Sequence, residues 1–434
     1  MEIGSEIIVD IEKPAVGGPM LARHHGQVVL VWGGIPGERV RARVERAAKN
    51  ILHAETTEVL VASPDRRDAG PDWRCGGNTF AHIAYERQCH LKAEIICDAL
   101  ERIGRLSSPP RPEVLGSPER GYRMRARFRV HDGRLGFFRE GSHQLCDPAV
   151  SGQLLPQTTE WIAAAERLIA HERLTGLNGV ELSENIRGDE RACHLDLDAG
   201  VDASRFAALA GGLTGLSAAR SDRPGVELLA GIPSVSDVLH VNPDDPRSAL
   251  RLRRDVRAFF QANRYLLEPL LRRVVALAVP GCVIDLYAGV GLFGLSLAAA
   301  GADDVTLVEG DPVSGASLEE NAEPFRGRVN ILRRSVESFL STGGRPVSTI
   351  IVDPPRTGMS KAALAGVLRA APQRIVYVSC DVATFARDTR TMLEAGYALD
   401  ELTGIDLFPN TAHVEVAAAF DHRSRRSKPA ESTR

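Results

Sequence analysis

Between residues 249 and 421, short apolar runs alternate with longer segments of helical character, and this alternation constrains the fold more than any other feature of the 434-residue chain. Strands are expected at 282–288, 305–309, 329–332, 349–353 and 374–379, interleaved with helices at 259–278, 292–300, 312–325, 361–370 and 383–395. Strands separated by helices pair through right-handed crossovers rather than hairpins, so the pattern predicts an α/β unit with a doubly wound parallel sheet. Two further strands at 398–407 and 414–420 are joined by the short turn Phe408-Pro409-Asn410-Thr411-Ala412-His413. A connection that short suits antiparallel strands, which predicts a hairpin at one edge of the sheet.

In such a sheet ligands sit beyond the carboxyl ends of the strands. Three of those ends carry chemistry here. Asp285 to Gly294 place a G-x-G-x-x-G turn, with Gly289, Gly291 and Gly294, between a strand and a helix, and Glu309 ends the next strand 20 residues after Gly289. Glycines let a ligand approach the backbone, and a carboxylate at the second strand end accepts both hydrogen bonds of a ribose diol. NAD and S-adenosylmethionine both carry that diol, so the spacing leaves an NAD-dependent dehydrogenase open. Ile351-Val352-Asp353-Pro354-Pro355-Arg356 ends another strand on an acid, and Tyr377-Val378-Ser379-Cys380-Asp381 ends one on a thiol. Glycine turn, acid and thiol at one cleft point to group transfer onto a nucleic-acid base. The competing structural readings are close helix–strand packing for the glycines and a small buried hydrophobe for the cysteine.

The first part of the chain reads differently. Residues 3–61 are short strands separated by turns, including the alternating run Arg39-Val40-Arg41-Ala42-Arg43-Val44, and predict a small β-barrel over 1–62. A mixed α+β central unit is expected over 63–248, the nucleotide-binding unit over 249–421, and a disordered basic tail over 422–434. With a net charge of −3 the chain has no global basic footprint, so nucleic-acid contact must rest on local patches. One candidate is Tyr122 to Val130, where Arg123, Arg125, Arg127 and Arg129 alternate with apolar residues. On a strand they line one face at intervals of ~7 Å, a spacing that suits a phosphate backbone. Arg139 and His143 extend that patch; the alternative is a solvated strand face. Seven cysteines at 75, 89, 97, 146, 193, 282 and 380 show no paired framework, which fits a reducing compartment. The first residues form neither a basic nor an apolar leader, and no run is long enough to span a membrane, so a cytoplasmic protein with no membrane partner is expected.

The motifs together carry a specific resemblance. Ser379-Cys380-Asp381-Val382-Ala383-Thr384-Phe385-Ala386-Arg387-Asp388, followed by Asp406-Leu407-Phe408-Pro409-Asn410-Thr411-Ala412-His413-Val414-Glu415, resembles the paired signature of the RNA uracil-C5 methyltransferases. Phe260-Gln261-Ala262-Asn263 matches that family's F-Q-x-N, Gly136 to His143 match its G-F-x-R-x-x-S-H, and residues 3–61 resemble the TRAM RNA-binding barrel. Asp285-Leu286-Tyr287-Ala288-Gly289-Val290-Gly291 is similar to the first motif of class I methyltransferases, and Asp353-Pro354-Pro355-Arg356 to the run by which many of them present an acceptor base.

The resemblance implies S-adenosylmethionine as cofactor, contacted by Gln261, Tyr287, Gly289, Gly291, Glu309 and Asp353. Uracil C5 is a poor nucleophile, but a thiolate adding to C6 makes an enolate whose C5 can take a methyl group, and a carboxylate then removes the C5 proton. Cys380 is the implied nucleophile and Glu415 the implied base; Arg123, Arg125, Arg127, Arg129, Arg139 and His143 are the implied RNA contacts. A TRAM-like barrel favours ribosomal RNA over tRNA, and a monomer is expected. The chain also departs from the family. Relatives often hold an iron–sulfur cluster with four cysteines, whereas here Cys75-Gly76-Gly77-Asn78 and Cys146 supply two; no cluster and no metal are expected, with Cys89 the candidate for an improvised third ligand. Leu292 stands where relatives often have Asn, and Asp381-Val382 where they have Asn-Pro. These losses motivate a rival reading, an RNA-binding protein with a decayed transferase site.

Overall fold

The computed structural model describes residues 2–48, 50–70, 72–342 and 346–423. Most of the basic tail expected at 422–434 lies outside the described residues. No helix among them is long and apolar enough to cross a membrane.

Five strands close into a barrel in the order Glu6–Pro14, Met20–His24, Gln27–Trp32, Ile51–Val61, Arg39–Ala48. Period-two alternation sends Ile7, Val9 and Ile11, with Val40, Ala42 and Val44, into its interior. The arginines between the latter three face outward, where Arg41 meets Glu58 at 2.9 Å. A seven-stranded central sheet follows, in the order Glu227–Gly231, Gly215–Arg220, Arg191–Leu197, Leu177–Glu184, Arg125–His131, Arg134–Phe138, Leu145–Cys146. Helix Pro156–His171 lays Trp161, Ile162, Ala165 and Ile169 into its core. A disulfide joins Cys75 to Cys146 across 71 residues, so the cysteines do contain a pair that their spacing did not reveal.

The C-terminal sheet runs Val329–Arg333, Val305–Glu309, Val283–Leu286, Thr349–Val352, Arg374–Ser379, Glu415–His422, Tyr397–Ile405, Glu113–Leu115. The first five strands are parallel, and Glu415–His422 is antiparallel to both of its neighbours. Helices Lys361–Ala370 and Val382–Glu394 fall where the apolar spacing puts them.

Two expectations are corrected. The hairpin is not the edge of the sheet: Glu113–Leu115 pairs parallel beyond it, with Thr403 opposite Glu113 and Ile405 opposite Leu115. Helix Tyr85–Arg102 packs on the same side, so the stretch expected as one unit at 63–248 is divided, with 85–115 built onto the C-terminal sheet. Nor does a helix run from 259: it spans Leu267–Leu277. The Asn263 side-chain oxygen accepts from the N–H groups of Tyr265 and Leu266 at 2.9 and 3.1 Å, which captures two donors and starts the helix only after them. The loop ahead of it is anchored by Arg264, whose guanidinium donates to the buried Glu184 at 2.7 Å, and by Arg254 lying 4.1 Å from the Phe260 ring centroid.

Candidate active site

Strands Val283–Leu286, Thr349–Val352 and Arg374–Ser379 lie side by side with Leu286 opposite Val352 and Val352 opposite Tyr377. Tyr287, Asp353 and Cys380 therefore leave the sheet along one edge. The antiparallel neighbour sets Val416 opposite Ser379, so its first residue, Glu415, arrives beside Cys380 from the other direction. Parallel strand ends and an antiparallel strand start thus meet at one place, which no local feature of the chain could arrange.

At the nucleotide end, Tyr287 takes a φ of 62° and Gly289 one of 56°. A Cβ on Gly289 would meet nothing within 4 Å, leaving that backbone open to the cleft. At Gly291, by contrast, it would come within 2.5 Å of Leu295, and at Gly294 within 2.7 Å of Leu307. Those two glycines are required by packing, while Gly289 has the open side a ligand needs. Glu309 closes the turn: its carboxylate accepts from Gly289 N–H at 2.7 Å and from Asp311 N–H at 2.6 Å. Asp285 accepts from Gly294 N–H at 2.8 Å, and burial pushes its carboxyl up to about 8. Leu292 packs in the core behind the turn.

At the other end, Gln261 donates to Asp353 at 3.2 Å, which brings the loop before Leu267 over the strand ends. Burial pushes Asp353 up to about 7 and Glu415 well above the usual carboxylate range, Glu415 being raised further by Asp353. Cys380 is half-buried; burial first, then the charges of Glu415 and Asp353, push its thiol up to about 12, and Arg356 acts in the opposite sense. Asp381 caps the next helix by accepting from Thr384 N–H at 2.8 Å, so the replacement of Asn-Pro by Asp-Val leaves a well-formed turn after the thiol.

These charges set the thiol's reactivity. Alkylation of Cys380 should rise with pH well past neutrality, because the reactive thiolate is disfavoured by its buried acidic neighbours. Arg356→Ala should slow alkylation at fixed pH about 3- to 10-fold and Glu415→Gln should speed it, a tenfold change corresponding to one unit of pKa. Mass spectrometry of iodoacetamide-treated protein between pH 7 and 10 reads this, and equal rates in both variants would sink the electrostatic account.

Asp353 also links the site to stability. Its folded pKa lies above its unfolded one, so between about 4 and 7 the folded state holds a proton that the unfolded chain releases. The group's contribution is therefore most favourable below that window and is lost as pH rises through 7. Asp353→Asn should raise stability by about 2–3 kcal/mol more at pH 8.5 than at pH 4.5. Thermal unfolding at the two pH values tests it; an increment independent of pH would contradict the burial of this carboxyl.

The arginine stripe is only partly a free face. Arg125 and Arg127 pair with Glu181 on the neighbouring strand at 3.7 and 3.5 Å, and Arg127 also with Asp196 at 2.9 Å. Arg139 pairs with Asp72 at 3.1 Å. The run contains no acid of its own, but the adjacent strands supply them. Arg129 is exposed over Phe138, whose ring also meets the exposed His143 edge-on at 5.4 Å. Arg123 precedes the strand and turns inward: it donates to Gln153 at 2.7 Å and lies 5.2 and 5.6 Å from the rings of Phe137 and Phe408. Through Phe408 it joins the loop that leads to Glu415. Cys89 is not beside the disulfide; its thiol lies near Tyr85 and Asp406, and among the described residues the third ligating group close to Cys75 and Cys146 is Asp72.

Several participating residues gave little signal in the sequence. Lys92, on helix Tyr85–Arg102, is completely buried; it pairs with Asp406 and donates to Phe408 O at 3.1 Å. Tyr85 O–H donates to Asp406 at 3.0 Å, and Gln88 donates to the Asn410 side chain at 2.9 Å. These contacts hold the connection from 406 to 413. His413 lies at its end, held neutral with a pKa of about 4 by burial and by Arg356, Lys92 and Arg123.

Comparison with known proteins bears on the fold and the family. A family model described as tRNA (uracil-5-)-methyltransferase matches residues 343–423, and one for the TRAM domain matches residues 1–57. An RNA methyltransferase of Streptomyces coelicolor is 31% identical over 96% of this chain and 93% of its own. A 23S rRNA (uracil(1939)-C(5))-methyltransferase of Halomonas elongata is 30% identical, with 92% of this chain and 85% of its own covered. The crystal structure of the Pyrococcus abyssi tRNA (uracil-54, C5)-methyltransferase with S-adenosyl-L-homocysteine shares the fold, with a TM-score of 0.75 at 24% identity over 95% of this chain and 99% of that one. The barrel, the open glycine turn and the convergence of Cys380, Asp353 and Glu415 thus occur in a chain that belongs to the RNA uracil-C5 methyltransferase family.

Proposed function

We propose that the protein methylates C5 of a uridine in ribosomal RNA, with Cys380 as nucleophile and Glu415 as base. The observation that carries this reading is the meeting of the two side chains at one strand edge, with Asp353 and Arg356 beside them. When bound, S-adenosylmethionine supplies an electrophilic methyl group. Gln261, Tyr287, Gly289, Gly291, Glu309 and Asp353 would hold it; the open side of Gly289 and the acids at adjacent strand ends fit a ligand with a ribose diol and a cationic centre.

The chain's own residues do the rest. Cys380 loses its proton to solvent, aided by Arg356, and its sulfur bonds to C6 of the ring, moving the C5–C6 electron pair toward C5 and O4. After C5 has gained the methyl group, Glu415 takes the C5 proton, the double bond re-forms and the C6–sulfur bond breaks. The raised pKa of Glu415 makes it a stronger base once ionised. The uridine must leave its stack to reach the thiol, and exposed Arg129 is suited to the backbone beside it.

Ribosomal RNA is favoured because the 23S rRNA methyltransferase is 30% identical over 92% of this chain, against 24% for the tRNA enzyme; the barrel does not separate the two, since the tRNA enzyme's structure aligns over 95% of this chain. The reading includes no iron–sulfur cluster: two cysteines and Asp72 converge where four thiolates would be needed, and the two are joined to each other. Labelled S-adenosylmethionine with unmodified ribosomal RNA and, separately, tRNA tests the substrate. Label in ribosomal RNA is expected; label in tRNA alone would transfer the same chemistry to that substrate, and label in neither would favour a decayed site.

A further inference from the structure

Helix Val382–Glu394 begins two residues after Cys380, and three side chains of its first two turns reach the segment that follows Asp353. Thr384 Oγ1 donates to Arg356 O at 3.3 Å, and Arg387 Nη2 donates to Thr357 O at 3.3 Å and to Met359 O at 3.2 Å. Asp388 is 1% exposed; one of its oxygens accepts from Met359 N–H at 3.1 Å and from the Tyr377 hydroxyl at 2.8 Å, and the other accepts from Arg387 Nε at 2.8 Å. Tyr377 lies on the strand that leads to Cys380. One buried carboxylate therefore joins the strand before the thiol, the helix after it and the loop from the neighbouring strand. Hydrogen bonds to an ionised group are the strong ones, so this is a firm junction.

The loop is shaped to receive it. Gly358 N–H donates to Pro355 O at 2.8 Å, which closes a tight turn with Arg356 and Thr357 at its centre. Gly358 takes a φ of 72°, and a Cβ there would lie 2.5 Å from Arg387 Nη2, 2.9 Å from Thr384 Cβ and 3.0 Å from Asp388 Oδ2. A side chain at 358 would thus push away all three residues. Arg356 is exposed, and among the described residues its guanidinium makes no ion pair, so the place of its charge follows from its backbone. Around the thiol, Glu415 and Asp353 oppose the thiolate and Arg356 favours it. Glu415 begins a sheet strand and Asp353 directly follows one, whereas the cation stands on the turn that the helix holds.

We propose that Thr384, Arg387 and Asp388 are positioning residues for the reaction: they bind the turn bearing Arg356 to the nucleophile's own strand and helix, and so hold the guanidinium beside the sulfur. The inference rests on the reading of Cys380 as nucleophile and adds the means by which its counter-charge is kept in place. A thiolate beside two acids depends on that one cation, and Coulomb attraction weakens with separation, so loosening the turn lowers the thiolate fraction.

The test is a double-mutant cycle on the full chain, read as alkylation of Cys380 by iodoacetamide at pH 8.5 without RNA or cofactor. Arg387→Ala is expected to slow alkylation about threefold, equivalent to half a unit of thiol pKa, and to have no further effect once Arg356→Ala is present. A loss that persists in the Arg356→Ala background would mean that Arg387 acts by its own charge or through the fold at large, and would overturn the proposal. An Arg387→Ala rate equal to or above that of the unaltered protein would do the same. Half of the Arg387 side chain is exposed, which favours a folded variant. Alkylation of the buried Cys193, read in the same digests, reports general loosening; if it rises in Arg387→Ala, the nearly isosteric Thr384→Val decides by the same two criteria. No methyl group is transferred in this assay, so failure of the clamp is distinguishable from failure of the methyltransferase reading, on which labelled RNA reports.

Discussion

Cys380→Ala is expected to lower methyl transfer by about 10⁴-fold or more, as removal of a nucleophile does in other covalent mechanisms, while S-adenosylmethionine still binds. Without sulfur at C6 the ring never acquires a nucleophilic C5. Glu415→Gln should behave differently, slowing turnover by about 10²- to 10⁴-fold, the range for a positioned base, and it should do so after the covalent bond has formed. A protein–RNA adduct that resists denaturation should therefore accumulate in Glu415→Gln, be absent from Cys380→Ala, and appear in the unaltered protein with RNA containing 5-fluorouridine, where no C5 proton can be removed. Denaturing gels with labelled RNA separate these outcomes. Turnover by Cys380→Ala, or a Glu415→Gln variant that loses activity without trapping RNA, would end the assignment. The geometry motivates the pair of variants, because the two side chains come from adjacent antiparallel strands and face one cleft.

Lys92→Met should destabilise the fold by about 3–5 kcal/mol, the usual consequence of leaving one member of a buried ion pair without its partner. Lys92 and Asp406 have no exposed side-chain surface, so Asp406 would face an apolar replacement with only the Tyr85 hydroxyl left as donor. Adding Asp406→Leu to Lys92→Met should recover much of the loss, since well-packed hydrophobic residues can replace a buried pair. Urea unfolding of the single and double variants measures both. Activity carries further information: Lys92 also holds Phe408 O, and the connection from 406 to 413 leads into Glu415. Methyl transfer should therefore fall through kcat, with cofactor affinity little changed. A loss below about 1 kcal/mol in the single variant would show that the pair is not buried as described.

The site and the fold were legible to different depths. The glycine turn, the acid at 353 and the thiol at 380 each stand at the end of an apolar run, and parallel strands put such ends on one edge whatever their order, so their convergence could be expected from alternation alone. Distinct roles among the glycines could not: Leu295 one helical turn on, with the distant Leu318 and Leu307, leaves Gly291 and Gly294 no room for a side chain, whereas Gly289 is open. The arginine run misled for a related reason. Alternation placed Arg125 and Arg127 on a common face, but their acidic partners Glu181 and Asp196 come from strands 50 or more residues away in sequence.

By itself the sequence determined what depends on local periodicity and on the chemistry of residue types: the barrel, the parallel sheet, helix 361–370 and strand 374–379, and the motifs at the strand ends. The tertiary structure alone decided the short parallel strand Glu113–Leu115, the disulfide between Cys75 and Cys146 and the burial of Lys92 against Asp406. Each joins segments far apart along the chain. Periodicity reports only which face of an element is apolar, whereas the identity of the partner across that face is set by how distant elements pack.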